Sequence, residues 1–294
     1  ISKKAHFVSS SYISPEMRNL NNAALDAGVS LVNEIGLDPG IDHLMAHKLV
    51  DDFKKSEPIN AETEVSFLSY CGGVPKTPNE FKYKFSWSPL GVLKALKSPS
   101  RSIKNFENFE ANRPWDAITS YNAPLNKPEE FEVYPNRDSL PFIEQYEFNP
   151  NWKIKQFVRG TLRLKGWAKA WDDIFKEIET LNGEAGEKRL TEMSEQFWQN
   201  NAYSENEPDR VILCVDLKAE QNQNVFWHKT YKMDAWGDMQ GTAMARLVSH
   251  PVYLAVTAIT DNEIEIGVSA AVSKPNLVDK WLKYINNLAQ EFDI

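Results

Sequence analysis

The first forty residues alternate between strand, helix and strand, and this order restricts the fold more than any other feature of the sequence. Residues 5–9 predict a short strand. Ser14 and Pro15 predict a helix start, because a serine oxygen caps free backbone N–H groups and proline has a helical φ angle. Gly28 predicts the left-handed residue that ends this helix, and residues 29–33 predict a second strand. Such a strand–helix–strand unit is typical of a doubly wound α/β sheet.

The rest of the chain predicts strands and helices without an internal repeat. Aromatic and polar residues alternate from Phe81 to Trp87, which predicts a strand. Two apolar runs, 211–217 and 225–231, flank a Gln/Asn-rich loop and predict an antiparallel hairpin. Apolar residues at helical spacing predict helices within 167–198 and a last amphipathic helix over 276–292.

Composition and charge exclude several functions. The 33 basic and 41 acidic residues leave a net charge of −8, which argues against a nucleic-acid backbone as the main partner. No apolar run in the sequence approaches the length of a membrane span. Two cysteines far apart in sequence fit a reducing compartment, so we expect a cytoplasmic location. The sequence contains no G-x-G-x-x-G, Walker or G-x-S-x-G motif.

Two strand ends carry groups that could transfer protons. Asp38 lies in a turn at the carboxyl end of the second strand, the end that faces the ligand crevice in open α/β sheets. The alternative is that Asp38 only forms the turn. Cys71 ends the next predicted strand, residues 62–70, and two glycines follow it. It could be a weak acid or base, or a small buried apolar side chain.

Arginines and histidines supply further candidates. Arg137 and Arg163 lie beside turn or strand-end residues, and a guanidinium group can bind a carboxylate through two hydrogen bonds. The alternative is two surface ion pairs. His43 and His47 are four apart on a predicted helix, but the glutamate of the H-E-x-x-H zinc motif is replaced by Leu44. We therefore predict no metal.

Six short strings occur in an order that resembles the saccharopine reductase family, the NADP-dependent, glutamate-forming saccharopine dehydrogenases. They cover residues 8–167 densely, and a seventh string near the C-terminus matches more weakly. The strings are residues 10–15 (SSYISP), 33–43 (NEIGLDPGIDH), 68–73 (LSYCGG), 83–88 (YKFSWS), 134–139 (YPNRDS), 159–163 (RGTLR) and 241–246 (GTAMAR).

The resemblance implies an activity and assigns candidate residues. Members of the family reduce the imine of 2-aminoadipate 6-semialdehyde and glutamate to saccharopine with NADPH, in lysine metabolism. The implied proton-handling residues are Tyr12, Asp38 and Cys71. The implied substrate-binding residues are Ser11, Tyr12, Asp38, Arg137, Thr161, Leu162 and Arg163. The implied cofactor-binding residues are Ser10, Ser11, Leu37, Asp38, Phe85, Ser86 and Trp87.

The resemblance also implies an α/β (α+β) fold in three parts. Residues 1–38 are expected to be the end of a Rossmann-like NADP-binding domain whose larger N-terminal part is missing. Residues 39–236 are expected to form a mixed-sheet domain for substrate binding and dimerisation, with a helical insert at about 167–208. Residues 237–294 are expected to return as helices to the nucleotide-binding domain. The insert is shorter than in fungal relatives, so the resemblance does not determine how the substrate cleft closes.

Two alternatives remain beside an imine reductase acting as a homodimer. One is a related oxidoreductase that resembles carboxynorspermidine dehydrogenase. The other is a binding and dimerisation module without catalysis, which the missing dinucleotide motif favours. We expect the 294 residues alone to be inactive. The expected small-molecule partners are saccharopine, glutamate and 2-aminoadipate 6-semialdehyde.

Overall fold

The computed structural model describes residues 1–56 and 62–294. Within them the chain forms two sheets with helices packed on both. The strands are β1 (Phe7–Val8), β2 (Ser30–Val32), β3 (Glu64–Pro75), β4 (Ser100–Lys104), β5 (Glu107–Ala111), β6 (Thr119–Ala123), β7 (Glu129–Pro135), β8 (Lys153–Leu164), β9 (Asp209–Gln221), β10 (Asn224–Trp236), β11 (Gly267–Ser269) and β12 (Glu291–Asp293). The helices are α1 (Pro15–Asn19), α2 (Asn21–Ala27), α3 (Ile41–Lys54), α4 (Pro89–Leu96), α5 (Pro141–Gln145), α6 (Trp167–Ala170), α7 (Asp172–Thr180), α8 (Gly183–Asn201), α9 (Ala243–Thr260) and α10 (Pro275–Ile285).

The start of the chain forms a parallel sheet of three strands in the order β1-β2-β11. Ser14 caps α1 by accepting a hydrogen bond from the Met17 N–H at 3.2 Å, and Gly28 ends α2 with a φ of 67°. The single helix predicted here is interrupted at Leu20, which separates α1 from α2. The strand–helix–strand prediction is confirmed, and β11 adds a third strand from the far end of the chain.

The second sheet is mixed and surrounds β3. Its order is β12-β10-β9-β3-β8, and β8 then pairs with β4 near its start and with β7 near its end. Among the strand pairs of this sheet in the described residues, only β3–β8 is parallel; β9 and β10 form the predicted antiparallel hairpin. Helices α6, α7 and α8 occupy the predicted helical insert. The α/β (α+β) prediction, with a parallel sheet and a mixed sheet, is confirmed.

The strand predicted from Phe81 to Trp87 is wrong. This segment forms turns and makes a single isolated bridge, between Phe85 and Ala202. Its alternate aromatic side chains are buried against helices and not against another strand: the Phe81 ring lies 4.9 Å from Trp171, and Phe85 stacks on Phe197 at 5.8 Å. Aromatic residues therefore recur at every second position of this segment because one of its sides is buried, and not because its backbone pairs with a neighbouring strand.

Two other predicted boundaries need correction. β3 does not end at Cys71 but continues to Pro75, because Gly72 and Gly73 pair with Ile212 and Val211 of β9. Gly72 is needed there, since a Cβ atom would lie 2.5 Å from the carbonyl oxygen of the adjoining strand β8. The last helix ends at Ile285, and the final residues form β12, which pairs with β10.

Helix α3 is buried on almost all sides because it lies between the mixed sheet and α10. Its side chains join a core that includes Phe67 and Phe157 of β3 and β8, whose rings stack at 4.8 Å. This burial holds the first turn of α3 in place. That turn directly follows the segment containing Asp38.

The pH dependence of stability tests the burial of α3. Burial, followed by repulsion from His43, lowers the pKa of His47 from 6.5 to about 4. Between pH 6.5 and 4 the unfolded chain therefore binds a proton at His47 that the folded chain excludes. The contribution of this group to the free energy of unfolding is fully present above pH 6.5 and decreases as the pH falls toward 4. We expect a loss of roughly 3 kcal/mol from this group across that interval, measured by urea unfolding.

His47→Gln keeps a neutral polar side chain and should remove most of that pH dependence. The exposed His228→Gln variant is the matched control and should keep it. If the free energy of unfolding changed with pH equally in the wild-type protein and in His47→Gln, the buried position of this histidine would be contradicted.

Candidate active site

A tight turn presents Asp38 between β2 and α3. The Gly36 N–H donates to the Pro39 carbonyl at 2.9 Å, and the peptide bond between Asp38 and Pro39 is cis. Gly40 has a φ of 150°, and a Cβ atom at this position would lie 2.0 Å from the Gly36 carbonyl oxygen. Only glycine fits, so the local sequence determines where the Asp38 carboxyl group lies.

Arg159 of β8 connects this turn with two other segments. One terminal nitrogen, Nη2, lies 2.6 Å from Asp38 Oδ1, 2.6 Å from Asp42 Oδ2 and 3.1 Å from the Tyr12 hydroxyl. The guanidinium plane also packs over the Phe142 ring at 4.0 Å. The loop after β1, the turn before α3 and strand β8 therefore meet at one buried cation.

Counting hydrogens determines the direction of these bonds. The Arg159 Nη2 group carries two hydrogens and has three oxygen neighbours, so it satisfies the two carboxylates. Tyr12 then donates its hydroxyl hydrogen to Asp38 Oδ1 at 3.1 Å. The second oxygen of Asp42 accepts the Gly40 N–H at 2.7 Å. Asp42 is thus held on both sides, whereas Asp38 keeps one oxygen for a ligand.

A second buried acid lies behind this cluster. Glu34 has a left-handed φ of 58°, and its carboxylate accepts hydrogen bonds from the Ile13 N–H and the Gln145 amide. His43 Nε2 lies 3.1 Å from Glu34, and His43 Nδ1 lies 2.7 Å from the Tyr146 hydroxyl. Burial alone would raise the pKa of Glu34, but the contacts with His43 and Gln145 outweigh burial and lower it to about 2. Glu34 is therefore ionised at neutral pH.

The proton-handling candidates have unusual surroundings. Burial, followed by repulsion from Asp42, raises the pKa of Asp38. Burial raises the pKa of the Cys71 thiol well above its usual value, and burial does the same for the Tyr12 hydroxyl. At neutral pH the Tyr12 and Cys71 side chains are therefore protonated, and Asp38 holds a proton more readily than an ordinary aspartate.

Several residues predicted from the sequence lie around Asp38. Ser10 contacts the turn, since a Cβ on Gly36 would lie 3.0 Å from the Ser10 Cβ. The Ser11 carbonyl accepts the Glu34 N–H at 3.0 Å. Exposed Arg137 places its guanidinium carbon 5.9 Å from the Tyr12 ring centroid. The loop after β1 and the turn after β2 thus form one wall, with Arg137 at its margin.

Arg163 lies farther along the same face of β8. Alternate strand residues share a face, so Arg159, Thr161 and Arg163 line one surface over about 13 Å. Thr161 pairs with Cys71 in the strand register. The guanidinium carbon of Arg163 lies 4.8 Å from the Tyr83 ring centroid and 5.3 Å from that of Trp167. No ion pair of Arg163 occurs within residues 1–56 and 62–294, and its Nε atom has no hydrogen-bond partner there.

Three predicted site residues have buried side chains that point into cores. Leu37 joins the core below α3, Leu162 lies on the opposite face of the sheet, and Phe85 stacks in the aromatic cluster. Only their backbone atoms could reach a ligand. Ser86 and Trp87 are more accessible: a Cβ on Gly73 would lie 3.8 Å from Ser86 Oγ, and Trp87 is 44% exposed.

Three members of the buried cluster, Glu34, Asp42 and Arg159, are not singled out by the sequence, and His43 is considered there only as a zinc ligand. Polar residues at the start of an otherwise apolar helix are a signal that could have identified Asp42 and His43. Arg159 lies in the same RGTLR string as Arg163, of which the family resemblance assigns Arg163 to substrate binding. Glu34 lies immediately after a buried strand and could have been identified by its position.

Among the residues that the structure describes, no group of three or more His, Cys, Asp or Glu side chains could hold a metal ion. His43 and His47 instead contact Tyr146. No helix in the described part of the chain is long and apolar enough to span a bilayer.

Comparison with known proteins identifies relatives that match between about half and nearly all of the chain. A family model described as the saccharopine dehydrogenase C-terminal domain matches residues 36–290. Saccharopine dehydrogenase (NADP(+), L-glutamate-forming) of Pyricularia oryzae is 41% identical over 170 residues, which are 57% of this chain and 36% of that protein. The mitochondrial alpha-aminoadipic semialdehyde synthase of Bos taurus is 28% identical, over 90% of this chain and 35% of that protein.

The fold is also similar to a solved structure. The apo, histidine-tagged saccharopine dehydrogenase (L-Glu forming) from Saccharomyces cerevisiae matches with a TM-score of 0.77 and 26% identity, over 97% of this chain and 78% of that one. The chain spans little more than a third of the length of the P. oryzae and Bos taurus proteins.

Replacing Arg159 with methionine tests whether this residue holds the cluster together. The variant leaves two buried carboxylates without their cation, so we expect a loss of about 3–5 kcal/mol in the free energy of unfolding. Urea unfolding at pH 7 measures it. Arg137→Met, at an exposed arginine without an ion pair in the described residues, is the control and should cost much less. Similar losses in both variants would contradict the role of Arg159.

Proposed function

The chain belongs to the family of the saccharopine dehydrogenase C-terminal domain, and we propose that it is the substrate-binding part of an imine-reducing oxidoreductase. The proposed reaction joins 2-aminoadipate 6-semialdehyde and glutamate as an imine and reduces it to saccharopine. The observation that carries this proposal is the position of Asp38, at the carboxyl end of β2, on a surface that also carries arginines without ion pairs. A substrate with several carboxylates and a reacting nitrogen matches this arrangement of charges.

Carboxylate binding is assigned to Arg137 and Arg163. Neither guanidinium group makes an ion pair within the described residues, whereas Arg159 is ion-paired with Asp38 and Asp42. A bound carboxylate would supply the missing partner and could accept two parallel hydrogen bonds from one fork. Thr161 lies between the two ends of this surface. Ser11, with Tyr12, lies at the Asp38 end.

Proton transfer is assigned to Asp38, with Tyr12 and Cys71 beside it. During imine reduction the nitrogen gains a proton as the carbon gains a hydride. A carboxyl group with a raised pKa holds a proton more readily than an ordinary aspartate and can supply it, and such general-acid catalysis contributes typically 10²–10⁴-fold. Tyr12 donates a hydrogen bond to Asp38 and orients it. Cys71, protonated and buried, serves as a neutral neighbour that adds no charge to the cleft.

The proposed cofactor is NADP, which supplies the hydride when bound. The two adjacent strand ends that carry Ser10–Ser11 and Leu37–Asp38 are consistent with its nicotinamide end, because ligands bind outside the carboxyl ends of parallel strands. Ser86 and Trp87 would approach it from the mixed-sheet side. The chain itself has no glycine-rich pyrophosphate loop, so we propose that these 294 residues bind substrate without turning it over.

A homodimer formed through the mixed sheet and a cytoplasmic location complete the proposal. The two unpaired, buried cysteines are consistent with a reducing compartment. Light scattering on the purified chain should give twice the 33.6 kDa chain mass. A mass of one chain at all accessible concentrations would contradict dimerisation through this sheet.

Binding of saccharopine tests the proposed function directly. Isothermal titration calorimetry on the purified chain should detect saccharopine, and Arg163→Met should weaken binding at least tenfold because a buried carboxylate would lose its charged partner. Lys97→Met removes another partly buried cation, one that binds only carbonyl groups of the helical insert, and is the matched control.

Two outcomes would contradict the proposal. One is equal affinity for saccharopine in the wild-type protein and the Arg163 variant. The other is stronger binding of carboxynorspermidine than of saccharopine, which would favour the polyamine-type alternative. Steady-state assay with NADPH tests the expected absence of turnover separately.

A further inference from the structure

One buried guanidinium group is shared by two carboxylates that differ in their access to the cleft. Asp38 is 18% exposed at its side chain, and Asp42 is completely buried. We propose that Asp42 and Arg159 are positioning residues for Asp38, which fix its carboxyl group at the cleft and keep it able to hold and release a proton. This inference rests on the proposed function for its purpose, but the geometry behind it is independent of any ligand.

Asp42 cannot turn away from this arrangement. Its Oδ1 atom accepts the Gly40 N–H at 2.7 Å, and its Oδ2 atom lies 2.6 Å from Arg159 Nη2. It lies in the first turn of α3, which is buried on almost all sides. The carboxyl group of Asp42 is therefore held in place beside Asp38.

Arg159 is held equally firmly from the other side. Its backbone N–H donates to the Ser139 hydroxyl at 3.0 Å, and its guanidinium group packs on Phe142. The same nitrogen serves Asp38 and Asp42, so moving the guanidinium group toward one carboxylate would weaken its bond to the other. The shared donor thus sets both the distance and the orientation of Asp38.

The buried cluster contains one more carboxyl group than it has groups able to carry positive charge. Three buried carboxylates, those of Glu34, Asp38 and Asp42, face only two groups able to carry positive charge, Arg159 and His43. His43 lies 3.1 Å from Glu34 and 3.5 Å from Asp42, whereas Arg159 contacts both aspartates, so Asp38 has Arg159 as its direct cationic partner. Two carboxylates that share a site disfavour double ionisation. Because Asp42 is sealed, proton exchange with the cleft takes place at Asp38.

The remaining groups around Asp38 do not relieve this excess. The titratable and charged side chains that face it are, from the loop after β1, Tyr12; from α3, Asp42 and His43; from β3, Cys71; from the end of α5, Tyr146; and from β8, Arg159. Of these, the tyrosines and the cysteine are neutral near pH 7 because burial raises the pKa of each. Only Arg159 and His43 can offset the charges of the aspartates.

The arrangement suits both halves of a proton transfer. When the imine carbon accepts hydride, the nitrogen takes the Asp38 proton, and the N–H bond forms as the O–H bond of Asp38 breaks. The resulting Asp38 carboxylate is then stabilised by Arg159. Water in the cleft returns a proton to Asp38, and Asp42 favours this return because a second negative charge beside it is costly.

Direct titration of Asp38 tests the inference without a ligand. Carboxyl carbons are labelled with ¹³C, and the Asp38 signal is assigned by its loss in Asp38→Asn. In the wild-type protein Asp38 should titrate above the ordinary aspartate range. Asp42→Asn should lower the proton affinity of Asp38 at least about tenfold, because Arg159 then serves Asp38 alone. Arg159→Gln should raise it at least about tenfold. Opposite shifts of the Asp38 pKa in the two variants show that Asp42 and Arg159 control it electrostatically. A general loss of structure would instead move the Asp38 pKa of both variants toward that of the unfolded chain.

Asp52→Asn is the matched control. It makes the same chemical change on the same helix, about 15 Å from Asp42, at a carboxylate that binds Lys48, Lys229 and Tyr231. It should leave the Asp38 titration unchanged. An ordinary or lowered pKa of Asp38 in the wild-type protein would overturn the inference. The inference would also be overturned if the pKa of Asp38 in Asp42→Asn equalled that in the wild-type protein. If a variant fails to fold, the wild-type measurement still decides. Saccharopine affinity, measured separately at pH 7, reports on the proposed function independently of either result.

Discussion

The structure around the candidate site depends on the buried contact between Arg159 and the carboxylates of Asp38 and Asp42. Each partner comes from a different part of the fold: a central strand of the mixed sheet, the turn after β2, and the first turn of α3. A buried ion pair of this kind gains stability only when its hydrogen bonds are satisfied. Here Arg159 Nη2 donates hydrogen bonds to one oxygen of Asp38 and one oxygen of Asp42, and the backbone N–H of Gly40 donates to the other oxygen of Asp42. The parallel sheet and the mixed sheet are therefore joined at the place where the proposed chemistry occurs.

This contact also separates two kinds of arginine. Arg159 is ion-paired through Nη2 with Asp38 and Asp42, so it orients Asp38, although its buried Nε atom has no hydrogen-bond partner among the described residues. Arg137 and Arg163 have no ion pair within the described residues, and aromatic rings alone cover the face of Arg163. Under the proposed function, the arginine that is ion-paired within the protein positions Asp38, and the arginines without an ion pair in the described residues bind the substrate. The division follows from these ion pairs and does not depend on which carboxylates are bound.

Local sequence signals predicted the parts of the fold that local chemistry determines. Ser14 and Gly28 marked helix ends, and the glycine-rich turn at Asp38 was recognised because its residues suit only a turn. Signals that depend on distant partners were misread. The segment from Phe81 to Trp87 alternates with a period of two and so predicts a strand, yet Phe81 and Phe85 pack against helices of the insert. The glycines after Cys71 suggested a strand end, although the neighbouring strand needs their small size to approach.

The candidate site shows the same limit. Asp38 could be found because a carboxylate in such a turn is visible in the sequence, whereas the importance of Arg159 depends on which side chains the folded sheets bring to it. The most direct measurement is a crystal structure of the chain with saccharopine. The account predicts the secondary amine nitrogen within about 3 Å of the Asp38 carboxyl group and ligand carboxylates on Arg137 and Arg163. Saccharopine bound elsewhere, with Asp38 facing only protein groups, would contradict it.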